Sequence, residues 1–151
     1  MSSPIPSGAP VHARAAYLIA RLGRTQQVRF SDRMRALGLR PKHFGLLNAV
    51  ALADGASQQE LGGRMGLDPS GLVGAIDELE RMGLVERRRD PTDRRRNAVG
   101  LTAEGTATLR RARRLVTESA RELLGALDDD EVETLVALLA KVEASGDLER
   151  F

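Results

Sequence analysis

Residues 87–97 read RRRDPTDRRRN, and no other part of the chain concentrates charge of one sign so strongly. Six arginines stand in these eleven residues, divided by two aspartates, a proline and a threonine. A charge run of this kind is usually a solvated or disordered segment. Here Leu84 and Val85 precede the run, and Val99 and Leu101 follow it at a spacing of two, which is typical of short strands. The pattern therefore predicts a β-hairpin with an arginine-rich tip, a shape that can enter or straddle a nucleic-acid groove.

Two short helices are predicted directly before this hairpin. Ser57 and Glu60 have the spacing of a capping box at the start of the first helix. Asp68 as N-cap and Pro69 at the first helical position begin the second. The apolar face of this second helix is predicted to consist of Leu72, Val73, Ile76 and Leu79. Two short helices joined by a glycine-containing turn predict a helix-turn-helix over about residues 57–82, followed by the hairpin over about residues 84–101.

Longer helices are predicted on both sides of this central part. Residues 1–10 contain three prolines and three serines and are predicted to be a disordered tail, and residues 147–151 are predicted to be a short C-terminal tail. Helical patterns over residues 11–36 and 103–145 carry apolar stripes that a central domain of this size cannot cover. Exposed amphipathic helices at both ends indicate a symmetric dimer interface. The sequence therefore predicts a homodimer built on a domain spanning residues 11–146.

Composition excludes several other classes of protein. Aromatic residues make up only 3% of the chain, which argues against binding of single strands by base stacking. The net charge is only +2, so positive potential must come from local clusters. Cysteine is absent, which removes thiolate chemistry and is compatible with a reducing cytoplasm. No apolar run approaches the length of a membrane helix. Phosphate-binding glycine loops, nucleophile elbows and zinc motifs are also absent, so we predict neither an enzyme nor a cofactor or metal site.

Two runs of residues carry a resemblance to a known family. Residues 79–87 read LERMGLVER, and Asp93, Arg94 and Arg95 are followed at fixed distances by Val99, Leu101-Thr102 and Gly105. In these motifs the chain resembles the MarR family of winged helix-turn-helix transcriptional regulators. The resemblance covers all but the N-terminal tail and is most specific over residues 57–105. The chain departs from the family pattern at Arg96 and at Gly62-Gly63.

This resemblance implies a mainly α fold: a winged helix-turn-helix with a small β-hairpin wing and N- and C-terminal dimerisation helices. It further implies a homodimer that binds double-stranded DNA at a pseudo-palindromic operator, with a recognition helix in the major groove and a wing near the minor groove. Many members are repressors that a small phenolic or anionic compound releases, and they commonly control efflux, stress-response or catabolic genes. The alternative is a winged helix that serves as a protein-interaction or sensor module. An arginine-rich wing without aromatic anchors argues against that alternative.

The residues predicted to contact DNA fall into three groups. The recognition helix offers small residues instead of the bidentate arginine or asparagine contacts that read bases strongly. The wing arginines suit a narrow minor groove or the phosphate backbone, while Asp93 is predicted to support the loop. The start of the first short helix can add neutral phosphate contacts. The full predicted set is Ser57, Gln58, Pro69, Ser70, Gly71, Gly74, Ala75, Arg88, Asp93, Arg94, Arg95 and Arg96. Arg87 and Arg89 are also expected to reach the flanking backbone.

An effector pocket is predicted with much less support from the sequence. His12 and His43 are the only histidines of the chain, and they lie in different predicted helices. A lone histidine is more often an ordinary surface or half-buried residue than a ligand, and no metal-ligand spacing is present. The candidate pocket residues are His12, Tyr17, His43 and Phe44.

Overall fold

A computed structural model describes residues 8–53, 57–66, 68–89 and 97–145 of the chain. The elements run in the order α1 (Val11–Ala36), α2 (Pro41–Leu52), α3 (Gln58–Met65), α4 (Pro69–Arg81), β1 (Val85–Arg89), β2 (Asn97–Leu101), α5 (Ala103–Leu124) and α6 (Asp129–Glu143). The predicted fold class, a mainly helical chain with one small β-hairpin, is confirmed. Residues 1–7 and 147–151 of the predicted tails and residues 90–96 of the predicted wing lie outside the described residues.

Side-chain caps start four of the helices, and two of these caps, at Ser57 and Asp68, lie where the sequence predicts them. The carboxylate of Glu60 accepts from the Ser57 backbone N–H at 2.8 Å, and the Ser57 hydroxyl accepts from the Glu60 N–H at 3.3 Å. Asp128 and Glu131 make the same reciprocal pair at the start of α6. Asp68 caps α4 and Thr102 caps α5, each accepting from the backbone N–H three residues on. These caps satisfy donors that a helix leaves unpaired, which fixes where each helix begins.

The hydrophobic core lies in a lobe formed by α2, α3, α4, the hairpin and the first half of α5. Met34, near the end of α1, is also fully buried in it. The buried face of α4 consists of Leu72, Ala75, Ile76 and Leu79. This corrects the predicted apolar face at one position, because Val73 is 40% exposed. Positions 72, 75, 76 and 79 follow the spacing of one helical stripe, and that spacing leaves Val73 outside it.

The hairpin is joined tightly to the helices on either side. Strands β1 and β2 pair antiparallel, with Val85 opposite Leu101 and Arg87 opposite Val99. Gly83, with a φ of +70°, ends α4 in the left-handed conformation that glycine adopts most easily. After the end of β2, a Cβ on Gly105 would overlap the carbonyl oxygen of Leu84, which precedes β1. The first turn of α5 can therefore approach the root of β1 this closely only with glycine at position 105.

The terminal helices keep much of their apolar surface exposed in a single chain. No residue of α6 is buried, and Met34 is the only buried residue of α1. An ion pair between Arg33 and Glu122, at 2.9 Å, connects α1 to α5. The exposed large apolar side chains of α1 and α6 are Val11, Leu18, Ile19, Leu22, Val28, Val136, Leu138, Leu139 and Val142. Among the helices that the structure describes, none is both long and apolar enough to cross a membrane.

Candidate nucleic-acid interface

The first turn of α4 is organised by its own N-cap. The Asp68 carboxylate accepts the hydroxyl of Ser70 and, at 3.1 Å, the backbone N–H of Gly71. These two hydrogen bonds, with the Ser70 hydroxyl contributing most, lower the pKa of Asp68 below its ordinary value. A Cβ on Gly71 would lie 2.8 Å from an Asp68 oxygen, so glycine fits the cap best here. The Ser70 hydroxyl proton is thus already donated, although its oxygen remains exposed and can still accept.

The outward face of α4 is almost bare in its first two turns. Pro69, Ser70, Gly71 and Gly74 are exposed, as the sequence predicts. The predicted contact of Ala75 with DNA is wrong, because Ala75 is 0% exposed and belongs to the core.

Gly74 lies beside Val73, and a Cβ built on Gly74 would meet nothing within 4 Å. Packing within the chain therefore does not require glycine at position 74. The absence of a side chain there leaves the helix backbone open to close approach from outside.

The C-terminal half of α4 carries acidic side chains that an arginine of the hairpin neutralises. Arg87 of β1 donates to the carboxylates of both Asp77 and Glu80. Partial burial alone would lower the pKa of the Arg87 guanidinium, but the hydrogen bond to Asp77 and the two negative charges raise it instead. The guanidinium is thus occupied by two carboxylates, and the expected contact of Arg87 with the DNA backbone stays a prediction. This guanidinium joins the wing to the recognition helix.

A second cluster of charged groups holds the opposite flank of α4. Glu78 accepts from Arg40, from Lys42 at 3.2 Å and from His43 at 2.7 Å, and these three donors lie at the start of α2. The His43 hydrogen bond, followed by that of Arg40, lowers the pKa of Glu78 to about 2. The His43 Nδ1 accepts the Arg40 backbone N–H at 3.2 Å, so Nε2 carries the proton that is donated to Glu78. His43 is thus a buried structural histidine with both ring nitrogens occupied.

The four predicted effector-pocket residues are not brought together within one chain. His12 is exposed near the start of α1, whereas Phe44 packs edge-to-face on Phe30 with ring centroids 5.4 Å apart. Eighteen residues of helix separate His12 from Phe30, or roughly 27 Å at 1.5 Å per residue. Tyr17 is half-buried in the first half of α1, and His43 faces α4. Within one chain these four residues therefore do not form a common pocket, and their role in an effector site stays a prediction.

Arg88 is an exposed arginine in the part of the wing that the structure describes. Arg88 donates to the Glu86 carboxylate, with its Nε at 2.8 Å, and is exposed on the face of the hairpin opposite Arg87. Its guanidinium lies against Gly100, where a Cβ would stand 3.7 Å from the Arg88 Cζ. Arg88 is accessible enough for its predicted contact with DNA, which stays a prediction. The predicted wing-tip residues Asp93, Arg94, Arg95 and Arg96 lie outside the described residues.

The start of α3 has less free hydrogen-bonding capacity than predicted. The Ser57 hydroxyl donates to Glu60 at 2.8 Å as part of the capping box, and Ser57 and Gln58 are both half-buried. A phosphate contact by Ser57 would have to replace that bond. Within the described ranges, no three histidine, cysteine or acidic side chains form a group that could hold a metal ion.

The sequence and the fold were compared with those of known proteins. The model of the MarR family matches residues 37–96, which include the helix-turn-helix and the first strand of the wing. The solved structure of apo MarR from E. coli is 29% identical and superposes with a TM-score of 0.71, over 93% of this chain and 98% of that one. The chain belongs to the MarR family of transcriptional regulators. Membership of this family confirms the resemblance, which rests on the LERMGLVER run and on the spacing from Asp93 to Gly105.

Two further similar proteins have an operon or a bound ligand named with them. A putative transcriptional regulatory protein for the hcr operon of Thauera aromatica is 34% identical over 105 residues, or 70% of this chain. The matched stretch is 63% of that protein, so this chain spans about three fifths of its relative's length. CouR from Rhodococcus jostii RHA1, solved with p-coumaroyl-CoA bound, is 30% identical with a TM-score of 0.68, over 85% of this chain and 90% of that one.

Sequence reasoning missed three residues that shape the recognition helix of this MarR-family chain. Val73 lies on the outward side of α4. The ion pair between Arg40 and Glu78 holds α4 against the start of α2. Helical spacing alone could have placed Val73 outside the buried stripe. No sequence signal marks the Arg40–Glu78 pair, because its partners are 38 residues apart and meet only in the folded lobe.

Proposed function

We propose that this MarR-family chain is a sequence-specific double-stranded DNA-binding regulator that acts as a homodimer on a pseudo-palindromic operator. We further propose that it is a repressor that a small phenolic or anionic compound releases. The observation that carries the proposal is the outward face of α4, which is bare in its first two turns, beside a hairpin that leads into an arginine-rich tip.

The charge distribution around α4 supports binding to DNA. An acidic recognition helix would repel phosphates, yet Asp77, Glu78 and Glu80 are each paired with basic groups from β1 or α2. The acidic half of the helix is thereby neutralised from both flanks. Wing-tip arginines are left to supply the positive potential, so backbone and shape readout carry much of the affinity.

Exposed apolar surface supports the homodimer. The large apolar side chains exposed along α1 and α6 have no cover within one chain, although burying each would be favourable by roughly 1.5–3 kcal/mol. These helices come from the two ends of the sequence, and a second copy of the same surface covers them under twofold symmetry. Two recognition helices would then address two operator half-sites.

Unpaired buried polar atoms support an effector site next to the dimer helices. Among the described residues, Gln26 Oε1 and Arg29 Nη1 on α1 and Ser119 Oγ on α5 are buried without a hydrogen-bond partner. Helices α1 and α5 pack against each other, and buried polar groups without partners are costly in a folded protein. A ligand carboxylate would accept from Arg29 and Ser119, whereas a phenol hydroxyl would donate to Gln26 Oε1. The similarity to CouR, which binds p-coumaroyl-CoA, favours an aromatic acid or its thioester.

A gel-shift assay tests the proposal directly. DNA from upstream of the chain's own gene and its neighbours would be titrated at several salt concentrations, with and without phenolic acids and their thioesters. We expect binding to one duplex to weaken steeply with salt, with a log–log slope of about −0.9 per phosphate contacted. An absence of duplex preference would contradict the proposal and favour the protein-interaction module instead.

The variant Arg95→Ala tests the role of the wing tip. We expect it to weaken binding across many sequences and to make the salt slope shallower by about 0.9 per subunit, since each subunit loses one cationic contact with a phosphate or the minor groove. A change of preference at a single base pair, with the salt slope unaltered, would mean that Arg95 reads bases.

A further inference from the structure

Val73 is an apolar side chain that the fold leaves partly exposed on the recognition helix. It is 40% exposed, whereas Leu72 and Ile76, which are the apolar residues nearest to it on α4, are 2% and 0% exposed. It stands in the second turn of α4, between Ser70 and Asp77 on the outward side of the helix. The N-terminal part of a recognition helix is the part that reaches base edges.

The other outward groups in these two turns have little capacity for reading bases. The Ser70 hydroxyl proton is donated to Asp68, and Gly71 and Gly74 have no side chains. Asp77, one turn further on, is held by Arg87. Pro69, at the first helical position, is the other exposed aliphatic group. Val73 is thus the aliphatic side chain that lies furthest along the bare part of the helix.

The chemistry of the major groove has one apolar group that matches such a side chain. Among the four bases only thymine presents a methyl group there, on C5. We propose that Val73 packs against the C5-methyl of one thymine in each half-site and so specifies a T·A pair at that position. This inference rests on the proposed DNA-binding function and adds a specificity-determining residue to it.

The surroundings of Val73 allow this contact. Gly74 lies beside it on the outward side, and no atom would stand within 4 Å of a Cβ at that position. The helix backbone can therefore come close to the base edges. Arg87 draws the Asp77 carboxylate toward the wing strand, which removes a negative charge from the path of the DNA. Burying one methyl group is worth about a fourfold change in affinity per half-site.

The test combines a protein substitution with removal of a single methyl group from the DNA. The full chain would first select a duplex from a random-sequence library. Each thymine of that duplex would then be replaced singly by deoxyuridine, and binding measured at one salt concentration for the unmodified chain, Val73→Ala and Pro69→Ala. We expect one thymine per half-site at which deoxyuridine weakens binding by the unmodified chain about fourfold. The Val73→Ala variant changes both half-sites, so it should bind the thymine duplex roughly sixteenfold more weakly, which is about fourfold per half-site, and lose nothing further with deoxyuridine.

Each other outcome counts against this role for Val73. Binding by the unmodified chain that is insensitive to deoxyuridine at every thymine would overturn it. So would a dependence that persists in Val73→Ala or that disappears in Pro69→Ala instead. Failure to select any duplex would overturn the proposed function itself, whereas selection followed by insensitivity would overturn only the methyl contact. Superposable thermal unfolding curves for Val73→Ala and the unmodified chain would exclude a folding defect.

Discussion

Gly74 destabilises α4, and no packing contact within the chain requires glycine there. Glycine in a helix interior is less favourable than alanine by about 1 kcal/mol, and a Cβ at this position meets nothing. We therefore expect Gly74→Ala to raise the free energy of unfolding by about 1 kcal/mol, measured by urea denaturation. The added methyl group projects from the face proposed to meet DNA, so the same variant should bind the selected duplex more weakly.

Gly63 provides a matched control for this substitution. It lies in α3, is exposed, and a Cβ there would also meet nothing within 4 Å. Gly63→Ala should give a similar gain in stability and leave DNA affinity unchanged. Equal DNA affinity for Gly74→Ala and the unmodified chain would show that the backbone at position 74 does not approach the bases closely.

The comparison of Ala75 with Val73 shows how far sequence reasoning reaches at single positions. Residue size suggests that alanine faces outward and valine inward, but helical spacing from Leu72 places Ala75 in the core and Val73 outside it. The spacing is present in the sequence and determines the buried face at these two positions more than side-chain hydrophobicity does. His43 is a different case, since its burial depends on Glu78, which lies 35 residues away in the sequence.

Arg87 connects strand β1 of the wing to the recognition helix α4 through Asp77 and Glu80. We expect Arg87→Gln to expose two uncompensated carboxylates, Asp77 and Glu80, beside the DNA. Each such charge near a phosphate costs about 1 kcal/mol even in water, so binding should weaken roughly tenfold or more. Gel shifts at low salt, where repulsion is screened least, measure the effect best.

The triple variant Asp77→Asn, Glu80→Gln, Arg87→Gln separates neutralisation from direct contact. If Arg87 acts by pairing with the carboxylates, the triple variant should recover most of the affinity lost in Arg87→Gln. Affinity as low as that of the single variant, with a salt slope shallower by about 0.9 per subunit, would mean that Arg87 touches a phosphate.

The cluster at Glu78 makes the attachment of α4 to α2 dependent on pH. Its hydrogen bonds lower the pKa of Glu78 from 4.5 to about 2 in the folded chain. This carboxylate therefore contributes stability in full above pH 4.5, and the contribution is lost as the pH falls toward 2. We expect Glu78→Gln to be less stable than the unmodified chain at neutral pH and the difference to shrink across that range. Urea denaturation at a series of pH values measures it, with Glu143→Gln, on the exposed end of α6, as the control. A difference that is constant with pH would contradict the ionic role.

Local signals and tertiary pairs differ in how well the sequence predicts them. Caps at Ser57, Asp68, Thr102 and Asp128 could be predicted because donor and acceptor are three residues apart in the chain. The pairs that hold α4 could not, because they depend on strand register and on the packing of α2. Arg87 illustrates this limit: its charge is evident from the sequence, but its direction follows from the pairing of β1 with β2.

The proposed dimer makes a prediction for the whole molecule. Leu139 is 43% exposed on α6, in an apolar stripe with no cover inside one chain. We expect Leu139→Glu to shift the solution mass from that of two chains toward the 16.4 kDa of one, because a buried, unpaired charge at a symmetric interface occurs twice. Sedimentation equilibrium measures the mass, and Glu133→Gln, an exposed substitution on the same helix, is the control.

Binding of DNA should follow the oligomeric state. A monomeric variant addresses one half-site and loses the gain in effective concentration that two linked sites provide, which can reach 10²-fold or more in affinity, as an order-of-magnitude figure. A Leu139→Glu chain that stays dimeric would place the interface on other residues. A dimeric unmodified chain that binds one half-site as tightly as a full operator would contradict the two-half-site mechanism.

The uninterrupted helix α5 runs from the root of the wing to the turn before α6. Its 22 residues span about 33 Å at 1.5 Å per residue. In the proposed dimer it is a lever arm: a tilt of about 5° at one end displaces the other by roughly 3 Å over that length. Successive base pairs are about 3.4 Å apart, so a tilt this small would shift a recognition helix by nearly one step along the DNA. A ligand held between α1 and α5 would therefore need to move its helix very little to take two half-sites out of phase.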